Sequence, residues 1–284
     1  MNQPMLKYIL ALLLFGSNGI VASFISMNSY EIVLFRTFIG SFFLIGFYLI
    51  THGHFSFYRH KKSFLFLALS GISMGISWLF LYEAYRRIGV SIASLGYYCG
   101  PVLVMACAPV LFKEKITKRK FFCFLVVLAG ILLVNSNALN EAHNFIGIVC
   151  ALMSAVLYAC MVSFNKKATK ICGMENAVLQ LTIAFLSVLV YVLIREGLHF
   201  HIRSGDIAPL LFLGLVNTGM GCFLYFSSID SLKVQSVAIL GYLEPASAVF
   251  FSFLFLHEQL LPVQAAGAVL MIAGALCAQL QPRA

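Results

Sequence analysis

Three ionisable side chains stand inside or at the edge of long apolar stretches, and Glu244 lies deepest among them. It falls midway along the apolar run 234–256 and directly precedes Pro245. An exposed carboxylate at the centre of a bilayer costs about 2.5 kcal/mol or more, so such a residue normally faces a cavity or a polar partner. In a cavity Glu244 would bind a substrate cation or a proton. The alternative is a carboxyl hydrogen-bonded to backbone groups that the proline leaves unpaired.

Arg36 and Glu83 are the other two ionisable positions. Arg36 lies a few residues inside its apolar run, where its long side chain would either reach the membrane interface or face a cavity. Gln180 occupies the equivalent place 144 residues later, and a polar residue at both places favours an inward-facing position for each. Glu83 precedes Arg86 and Arg87 by three and four residues, the spacing of neighbours on a helix, which predicts a surface ion pair.

Aromatic side chains with a polar group are dense in the same stretches. A π face beside a carboxylate would suit an organic cation, whereas tyrosines near span ends also serve as interfacial anchors. Together with the polar positions, these aromatic residues give six candidates for binding a substrate or a coupled ion: Glu244, Tyr242, Tyr98, Arg36, Trp78 and Gln180. Further aromatic residues that would line a pocket are Tyr82, Tyr85, Tyr97, Tyr158 and Tyr225.

Pro101 and Pro245 each remove a backbone N–H donor and clash with the preceding turn, so we expect both to kink their helices near the membrane centre. Such kinks would let each half of the protein rock, or they would serve packing alone. Asn18 and Asn217 are amides inside apolar runs. Hydrogen bonds between helices are the main expectation for both, with a cavity contact as the alternative.

No arrangement of side chains suggests catalysis. The seven histidines lie in loops or at span ends and the eight cysteines include no CxxC pair, so the sequence predicts neither a metal site nor a cofactor. The sequence has no Walker-type phosphate loop, so an ion gradient, exchange or facilitated diffusion would drive transport. A membrane enzyme or scaffold is the competing class. An enzyme would need clustered nucleophiles or ligands, and a scaffold would not need Glu244.

The elements that position these residues follow from composition. Of the 284 residues 61% are apolar and 10% are charged, with a mean hydropathy of +0.96, which keeps most of the chain off the surface of a soluble protein. About 20 apolar residues cross a bilayer as a helix. The apolar runs predict ten transmembrane helices, at 6–25, 32–50, 64–85, 91–112, 121–139, 145–164, 178–194, 210–229, 234–256 and 263–280. The first run lacks a cleavage site, so we expect it to remain as the first helix.

The basic residues sort by side of the membrane. Of nineteen Lys and Arg residues, fourteen fall on one side of the predicted spans and four on the other, while Arg36 lies inside a span. By the positive-inside rule both termini are then cytoplasmic, in a multi-pass protein of a bacterial-type inner membrane. The net charge of +9 sits in short breaks between apolar runs without stacking aromatics, which argues against a nucleic-acid partner.

The chain also aligns with itself at an offset of 144 residues. Four pairs of unusual residues coincide: Tyr98 with Tyr242, Pro101 with Pro245, Glu114 with Glu258, and Gly130 with Gly274. Each copy, at 1–139 and 145–280, holds five predicted spans, and because five is odd the second copy must enter the membrane from the opposite side. The predicted fold is an all-α membrane protein of two inverted five-helix repeats, an arrangement by which transporters alternate around a central site.

These segments resemble the EamA-like permeases of the drug/metabolite transporter superfamily, and the likeness covers essentially the whole chain. It rests in the first half on 91–101 (SIASLGYYCGP) through Glu114, and in the second on 237–245 (VAILGYLEP) through Glu258. Gln264, Gly267 and Gly274, and the pair Phe35 and Arg36, are similar to further family positions. The resemblance implies ten helices, a central cavity and transport of metabolites or amino acids, usually export.

The sequence therefore predicts a secondary transporter, not an enzyme, that moves a small metabolite across the membrane. An amino acid or related compound is the first candidate substrate, and an organic cation such as a drug or quaternary amine is the second. Export is the expected direction, with protons as candidate coupling ions. The expected partners are a small-molecule substrate and the lipid bilayer, for a chain that acts as a monomer or homodimer.

Overall fold

The structure is a computed structural model that describes residues 3–134, 145–195, 197, 202–255 and 262–279. Within these ranges every regular element is helical, which confirms the predicted all-α class. The α-helices are α1 (Gln3–Gly16), α2 (Asn18–Ser23), α3 (Ser29–Ile50), α4 (Lys61–Tyr97), α5 (Gly100–Phe112), α6 (Lys118–Val134), α7 (Phe145–Lys167), α8 (Gly173–Arg195), α9 (Ile207–Phe212), α10 (Gly221–Ile229), α11 (Val234–Leu240), α12 (Leu243–Phe255) and α13 (Pro262–Gln279). A π-helix (Leu213–Met220) joins α9 to α10, and short 3₁₀ turns lie at Phe57–Arg59 and Ser204–Asp206.

Six stretches of the described residues are long and apolar enough to cross a bilayer: Gln3–Ser23, Ser29–Ile50, Lys61–Ile88, Phe145–Lys167, Gly173–Arg195 and Ser204–Ile229. Shorter apolar helical segments lie at Gly100–Phe112, Phe121–Leu133 and Ala265–Cys277. Side chains are distributed as lipid requires, since Val110 and Ile50 are 81% and 78% exposed whereas Arg36 is 3% exposed. The predicted multi-pass membrane protein is confirmed.

Helix α4 contains a reversal of chain direction. Its first part runs toward the start of α7, because Ser77 Oγ donates to the Ser154 carbonyl oxygen (2.9 Å) and Ile88 contacts the first turn of α7. The chain then runs back along α7, since Gly100, just after α4, lies against the ring of Tyr158. The turn near Ile88 agrees with the break that the sequence places between the third and fourth predicted spans.

Helices in the two halves of the chain begin at matching places. α3 begins at Ser29 and α8 begins at Gly173, so the two helices start 144 residues apart. The described helices therefore follow the offset that aligns the sequence with itself.

Glycines let α6 and α13 approach closely. A Cβ at Gly130 would lie 2.6 Å from the carbonyl oxygen of Gly267, and a Cβ at Gly274 would lie 3.0 Å from the carbonyl oxygen of Cys123. Side chains at either position would push the backbones apart, which is the usual reason for small residues between membrane helices. Because Gly130 and Gly274 are equivalent at the 144-residue offset, the contact is reciprocal.

Both predicted kink prolines lie at helix starts. Pro101 is in the first turn of α5 and Pro245 is in the first turn of α12. Residues 98–99 separate α5 from α4, and residues 241–242 separate α12 from α11. A proline in a first turn removes no intrahelical hydrogen bond, so each helix is interrupted before its proline. A role of these breaks in motion stays a prediction.

Candidate functional site

A cavity of about 660 Å³ lies between helices of the two halves. Its walls come from α1, α2, α3 and α4 of the first half and from α7, α10 and α12 of the second. The volume falls within the range of roughly 300–1,000 Å³ typical of small-molecule sites. One part of the wall lies beside the loop between α2 and α3 and consists of Ser23, Ile25, Met27, Ser29 and Arg86. The cavity therefore reaches the end of the bundle that carries this loop, here called the outer end.

Arg36 lines the cavity from α3 with 3% of its surface exposed. Its Nε donates to Thr218 Oγ1 (3.0 Å), and its guanidinium carbon lies 4.9 Å from the centre of the Trp78 ring. The Thr218 hydroxyl donates to the Leu213 carbonyl oxygen (2.8 Å) within the π-helix, which fixes its position toward Arg36. No carboxylate of the described residues forms an ion pair with this guanidinium. Its charge and remaining N–H groups can therefore bind an anionic group.

Glu244 brings a carboxylate to the same cavity from the first turn of α12. Its place depends on Gly16 at the end of α1, where a Cβ would lie 2.8 Å from the Glu244 carbonyl oxygen and overlap Ser247 Oγ. Glycine at this position thus lets α1 contact α12 at the point where α1 ends and α2 begins. The salt bridges among the described residues do not include Glu244. The cavity therefore holds a carboxyl group and a guanidinium that are not paired with each other.

Tyrosines form the innermost wall of the cavity. The rings of Tyr97 and Tyr158 meet edge to face at 5.5 Å, and the hydroxyl oxygens of Tyr158 and Tyr225 lie 3.5 Å apart. The Tyr225 ring lies 4.9 Å from that of the fully buried Tyr8, whose hydroxyl donates to the Val237 carbonyl oxygen (3.2 Å). These contacts join the cavity wall to Tyr8 of α1 and Val237 of α11.

Four of the six predicted site residues line the cavity: Arg36, Trp78, Tyr98 and Glu244. The other two, Tyr242 and Gln180, are 0% exposed and lie outside the cavity lining. The Tyr242 hydroxyl donates to the Tyr98 carbonyl oxygen (3.0 Å), which joins equivalent positions of the two halves. Gln180 Oε1 accepts from Asn165 Nδ2 (3.2 Å). For all six residues a role in substrate binding or coupling stays a prediction.

The remaining polar and aromatic candidates are also placed. All five further aromatic candidates, Tyr82, Tyr85, Tyr97, Tyr158 and Tyr225, line the cavity. Asn18 lines it too, and Asn217 Nδ2 donates to Asn18 Oδ1 (3.1 Å) and to the Leu14 carbonyl oxygen (3.0 Å). The amides therefore bond between helices as predicted, and Asn18 has the cavity contact as well.

Glu83 forms the predicted ion pair. Its carboxylate lies 2.9 Å from Arg86 Nη2 and 2.6 Å from Arg87 Nε, and it also accepts from the Tyr30 hydroxyl. Arg86 in turn lines the cavity near the outer end. Of the equivalent glutamates Glu114 and Glu258, the second lies outside the described residues.

Sequence reasoning missed several residues of the wall, among them Met74, Met161, Cys222 and Phe226. Cys222 and Phe226 are equivalent to Trp78 and Tyr82 at the 144-residue offset, so extending the self-alignment from the candidates would have found them. The two methionines carry no such signal, because an apolar residue in a transmembrane run is compatible with packing anywhere.

Comparisons with known proteins give one consistent answer. The profile of the EamA-like transporter family matches twice, over residues 4–136 and 145–279. "Uncharacterized transporter YxxF" of Bacillus subtilis is 23% identical over 96% of this chain and 88% of its own length. "Probable amino-acid metabolite efflux pump" of Salmonella typhimurium is 28% identical over 72% of each chain. A crystal structure of a protein 17% identical in sequence superposes over 97% of this chain and 96% of its own, with a TM-score of 0.82, and shows a shared fold.

Proposed function

The chain belongs to the EamA-like transporter family, and from this premise we propose that it is a secondary transporter exporting an amino acid or a related zwitterion across the cell membrane. The observation that carries the proposal is the joint presence of Arg36 and Glu244 in one aromatic-lined cavity, without an ion pair between them. A zwitterion has a carboxylate for the guanidinium and an ammonium for the carboxyl group. The relative named "Probable amino-acid metabolite efflux pump" supports this substrate class and direction.

The membrane arrangement that we propose has ten spans, in two inverted repeats at 1–139 and 145–280, with both termini in the cytoplasm. Contacts between loops support it. Glu175 accepts from Ser56 Oγ (2.7 Å) and Glu114 accepts from the first N–H of α11 (2.9 Å), and both contacts join predicted cytoplasmic segments. Asp206 accepts from the Ser26 amide (2.8 Å), which joins two predicted external segments. The outer end of the cavity is then extracellular.

Proton coupling through Glu244 completes the proposal. A carboxyl group that is desolvated in the cavity exchanges substrate and proton readily, because the ammonium of a zwitterion competes with the proton for the same oxygens. Glu244→Gln keeps the shape of the side chain and removes this competition. Glu31→Gln is the matched control, since Glu31 caps the start of α3 away from the cavity and glutamine serves the same cap.

The test is radiolabelled substrate flux in proteoliposomes, with and without an imposed pH gradient. We expect amino-acid flux that the gradient accelerates in the unmodified protein and in Glu31→Gln, and flux insensitive to the gradient in Glu244→Gln. If Glu244→Gln responds to the gradient like the unmodified protein, the coupling role is wrong. The absence of flux for every amino acid would refute the substrate class.

A second candidate substrate, an organic cation, is favoured by the density of aromatic rings around Glu244. Quaternary ammonium groups bind to tyrosine and tryptophan faces through cation–π attraction. Tetraalkylammonium flux in the same proteoliposomes distinguishes the two candidates. A cation transporter would carry these ions without needing the guanidinium of Arg36.

A further inference from the structure

Two pairs of equivalent positions line the cavity together. At the 144-residue offset Trp78 is equivalent to Cys222 and Tyr82 to Phe226, and all four line the cavity. At these two pairs the halves contribute alike, as is expected close to the pseudo-twofold axis of inverted repeats.

Toward the outer end, the halves differ. Ile32, Arg36 and Arg86 line the cavity, whereas their equivalents in the second half, Asn176, Gln180 and Asp230, do not belong to its lining. Asn176 and Gln180 are 0% exposed, and Asp230 is half-buried at the end of α10. In the first half, Ile32, Arg36 and Arg86 form the open part of the cavity near the outer end, here called the outer vestibule. Their second-half equivalents occupy the same places at the predicted cytoplasmic end, where they are buried or half-buried.

Two of these residues, Asn176 and Gln180, form hydrogen bonds with the buried Asn165. The three side chains together are here called the carboxamide cluster. Asn165 Nδ2 donates to Asn176 Oδ1 (2.9 Å) and to Gln180 Oε1 (3.2 Å), and Asn176 Nδ2 donates back to Asn165 Oδ1 (3.1 Å). The cluster joins α7 to α8. All three side chains are 0% exposed, so the amides satisfy one another without water.

Packing alone does not require amides here. The first-half equivalents of Asn165 and Asn176 are Val21 and Ile32, which are apolar. Replacing mutually hydrogen-bonded buried groups by apolar groups of the same shape can be nearly neutral or stabilising, so stability alone does not select amides at these places. Polar groups at these places are explained if they are exposed to water and substrate in another conformation.

The carboxamide cluster lies one residue layer from the cavity. Gln180 Nε2 approaches Met74 Sδ (3.9 Å) and Asn176 Nδ2 donates to the Phe226 carbonyl oxygen (3.4 Å), and both Met74 and Phe226 line the cavity. On the other side Asn176 Nδ2 lies 3.5 Å from Asp230 Oδ2, at the predicted cytoplasmic surface. The cluster therefore lies between the cavity wall and the predicted cytoplasmic surface.

Lys166 joins two elements at this end of the bundle, a contact here called the Lys166 tie. Its Nζ donates to the carbonyl oxygens of Ile229 (2.9 Å) and Asp230 (3.1 Å), and also to that of Leu232, which ties the end of α7 to the loop after α10. The first-half equivalent of Lys166 is Ala22, which lines the cavity and has no group for such a contact. Lys166 therefore joins α7 to the loop after α10 at the cytoplasmic end, whereas Ala22 cannot make the equivalent contact at the outer end, where the cavity is open.

We propose that the carboxamide cluster and Asp230 are the cytoplasmic entry site for the substrate, closed in this structure by the Lys166 tie and opened when the outer vestibule closes. The inference rests on the inverted-repeat transporter of the proposed function. The chemistry of the site suits a small zwitterion. Asp230 offers a carboxylate to an ammonium group, Lys166 offers an ammonium to a carboxylate when released, and the amides supply donors and acceptors between them.

Thiol accessibility in membrane vesicles tests the inference. Single cysteines are introduced as Ala22→Cys, for the outer vestibule, and Asn176→Cys, for the cluster, in a full-length background whose eight native cysteines are replaced by serine or alanine. A membrane-impermeant maleimide is applied to right-side-out and inside-out vesicles. We expect the thiol at position 22 to react readily from the outer face and the thiol at position 176 to react only slowly, from the cytoplasmic face.

Lys166→Ala is the decisive change. Loss of a charge-assisted hydrogen-bonded tie shifts a two-state equilibrium about tenfold, so labelling at position 176 should rise about tenfold from the cytoplasmic face. Labelling at position 22 should change little, because the outward-open state remains the major one. Lys170→Ala, an exposed lysine on the same predicted face, is the matched control and should change neither rate. Unchanged labelling at position 176 in Lys166→Ala, or reaction of position 176 from the outer face, overturns the inference.

Two features keep the test decisive. If Asn176→Cys does not accumulate in the membrane, Asn165→Cys replaces it with the same expectation, and unchanged labelling at position 165 in Lys166→Ala then refutes the tie. The labelling needs no substrate, so its failure leaves the flux measurements of the proposed function intact. A working switch without amino-acid flux would instead overturn only the proposed substrate.

Discussion

Replacing Arg36 by glutamine should remove recognition of the substrate carboxylate while leaving the fold in place. The guanidinium is 3% exposed and its Nε is occupied by Thr218, and the structure shows no hydrogen bond from its Nη groups to the described residues. Those terminal N–H groups are therefore the ones that a substrate carboxylate would meet. A hydrogen bond to a charged group contributes about 1.5–3 kcal/mol, and each 1.4 kcal/mol changes a dissociation constant about tenfold.

Arg36→Gln should therefore raise the Kd for an amino acid about 10- to 100-fold. It should leave the Kd almost unchanged for the amine formed by decarboxylation of that amino acid, because the amine has no carboxylate for Arg36 to bind. Binding is measured by calorimetry or thermal shift on purified protein, with L-amino acids and their decarboxylated amines as paired ligands. Arg195→Gln, at the exposed end of α8, is the control for loss of one positive charge. If Arg36→Gln discriminates between each pair as the unmodified protein does, the assigned role of Arg36 is wrong.

Three further predictions concern stability and are read as the Tm of detergent-solubilised protein, where each kcal/mol corresponds to about 2 °C or more. Glu114→Ala removes the acceptor of two N–H groups at the start of α11 and should cost about 1–3 kcal/mol; an unchanged Tm would show that water replaces the carboxylate. Gly274→Ala should lower the free energy of unfolding by about 1–3 kcal/mol, because its Cβ would lie 3.0 Å from backbone across the α6–α13 contact. Gly46→Ala is the control and should be neutral, because nothing lies within 4 Å of a Cβ at that position. Equal shifts in Tm for the two variants would contradict the packing. Tyr242→Phe loses the bond to the Tyr98 carbonyl and should cost about 1 kcal/mol, and a gain in Tm would contradict this.

Much of the fold was predictable because lipid imposes simple constraints. Hydropathy placed the long helices, and the offset of 144 residues anticipated the matching starts of α3 and α8. The interruptions before Pro101 and Pro245 were expected as kinks, and the residue that breaks each helix depends on caps and packing that the proline alone does not specify. The π-helix 213–220 had no sequence signal, since its extra residue is stabilised by tertiary contacts such as the bond between Thr218 and Arg36.

The candidate site was predictable in kind and less so in detail. Ionisable and aromatic residues in apolar runs pointed to Arg36, Trp78, Tyr98 and Glu244, because lipid excludes such groups from the outer surface. The same reasoning also selected Tyr242 and Gln180, which lie behind the wall. Sequence periodicity tells which residues avoid lipid, but it does not tell a cavity from a hydrogen-bonded interior. That difference depends on which end of the bundle is open.

The central claim is that two copies of one helical unit lie in opposite orientations in the membrane, and labelling of equivalent positions tests it most directly. Lys115→Cys and Gln259→Cys occupy the same place in the two repeats, 144 residues apart. With an impermeant maleimide on vesicles of known orientation, we expect position 115 to react from the cytoplasmic face and position 259 from the external face. Reaction of both positions from the same face would contradict the inverted arrangement and the transport mechanism built on it.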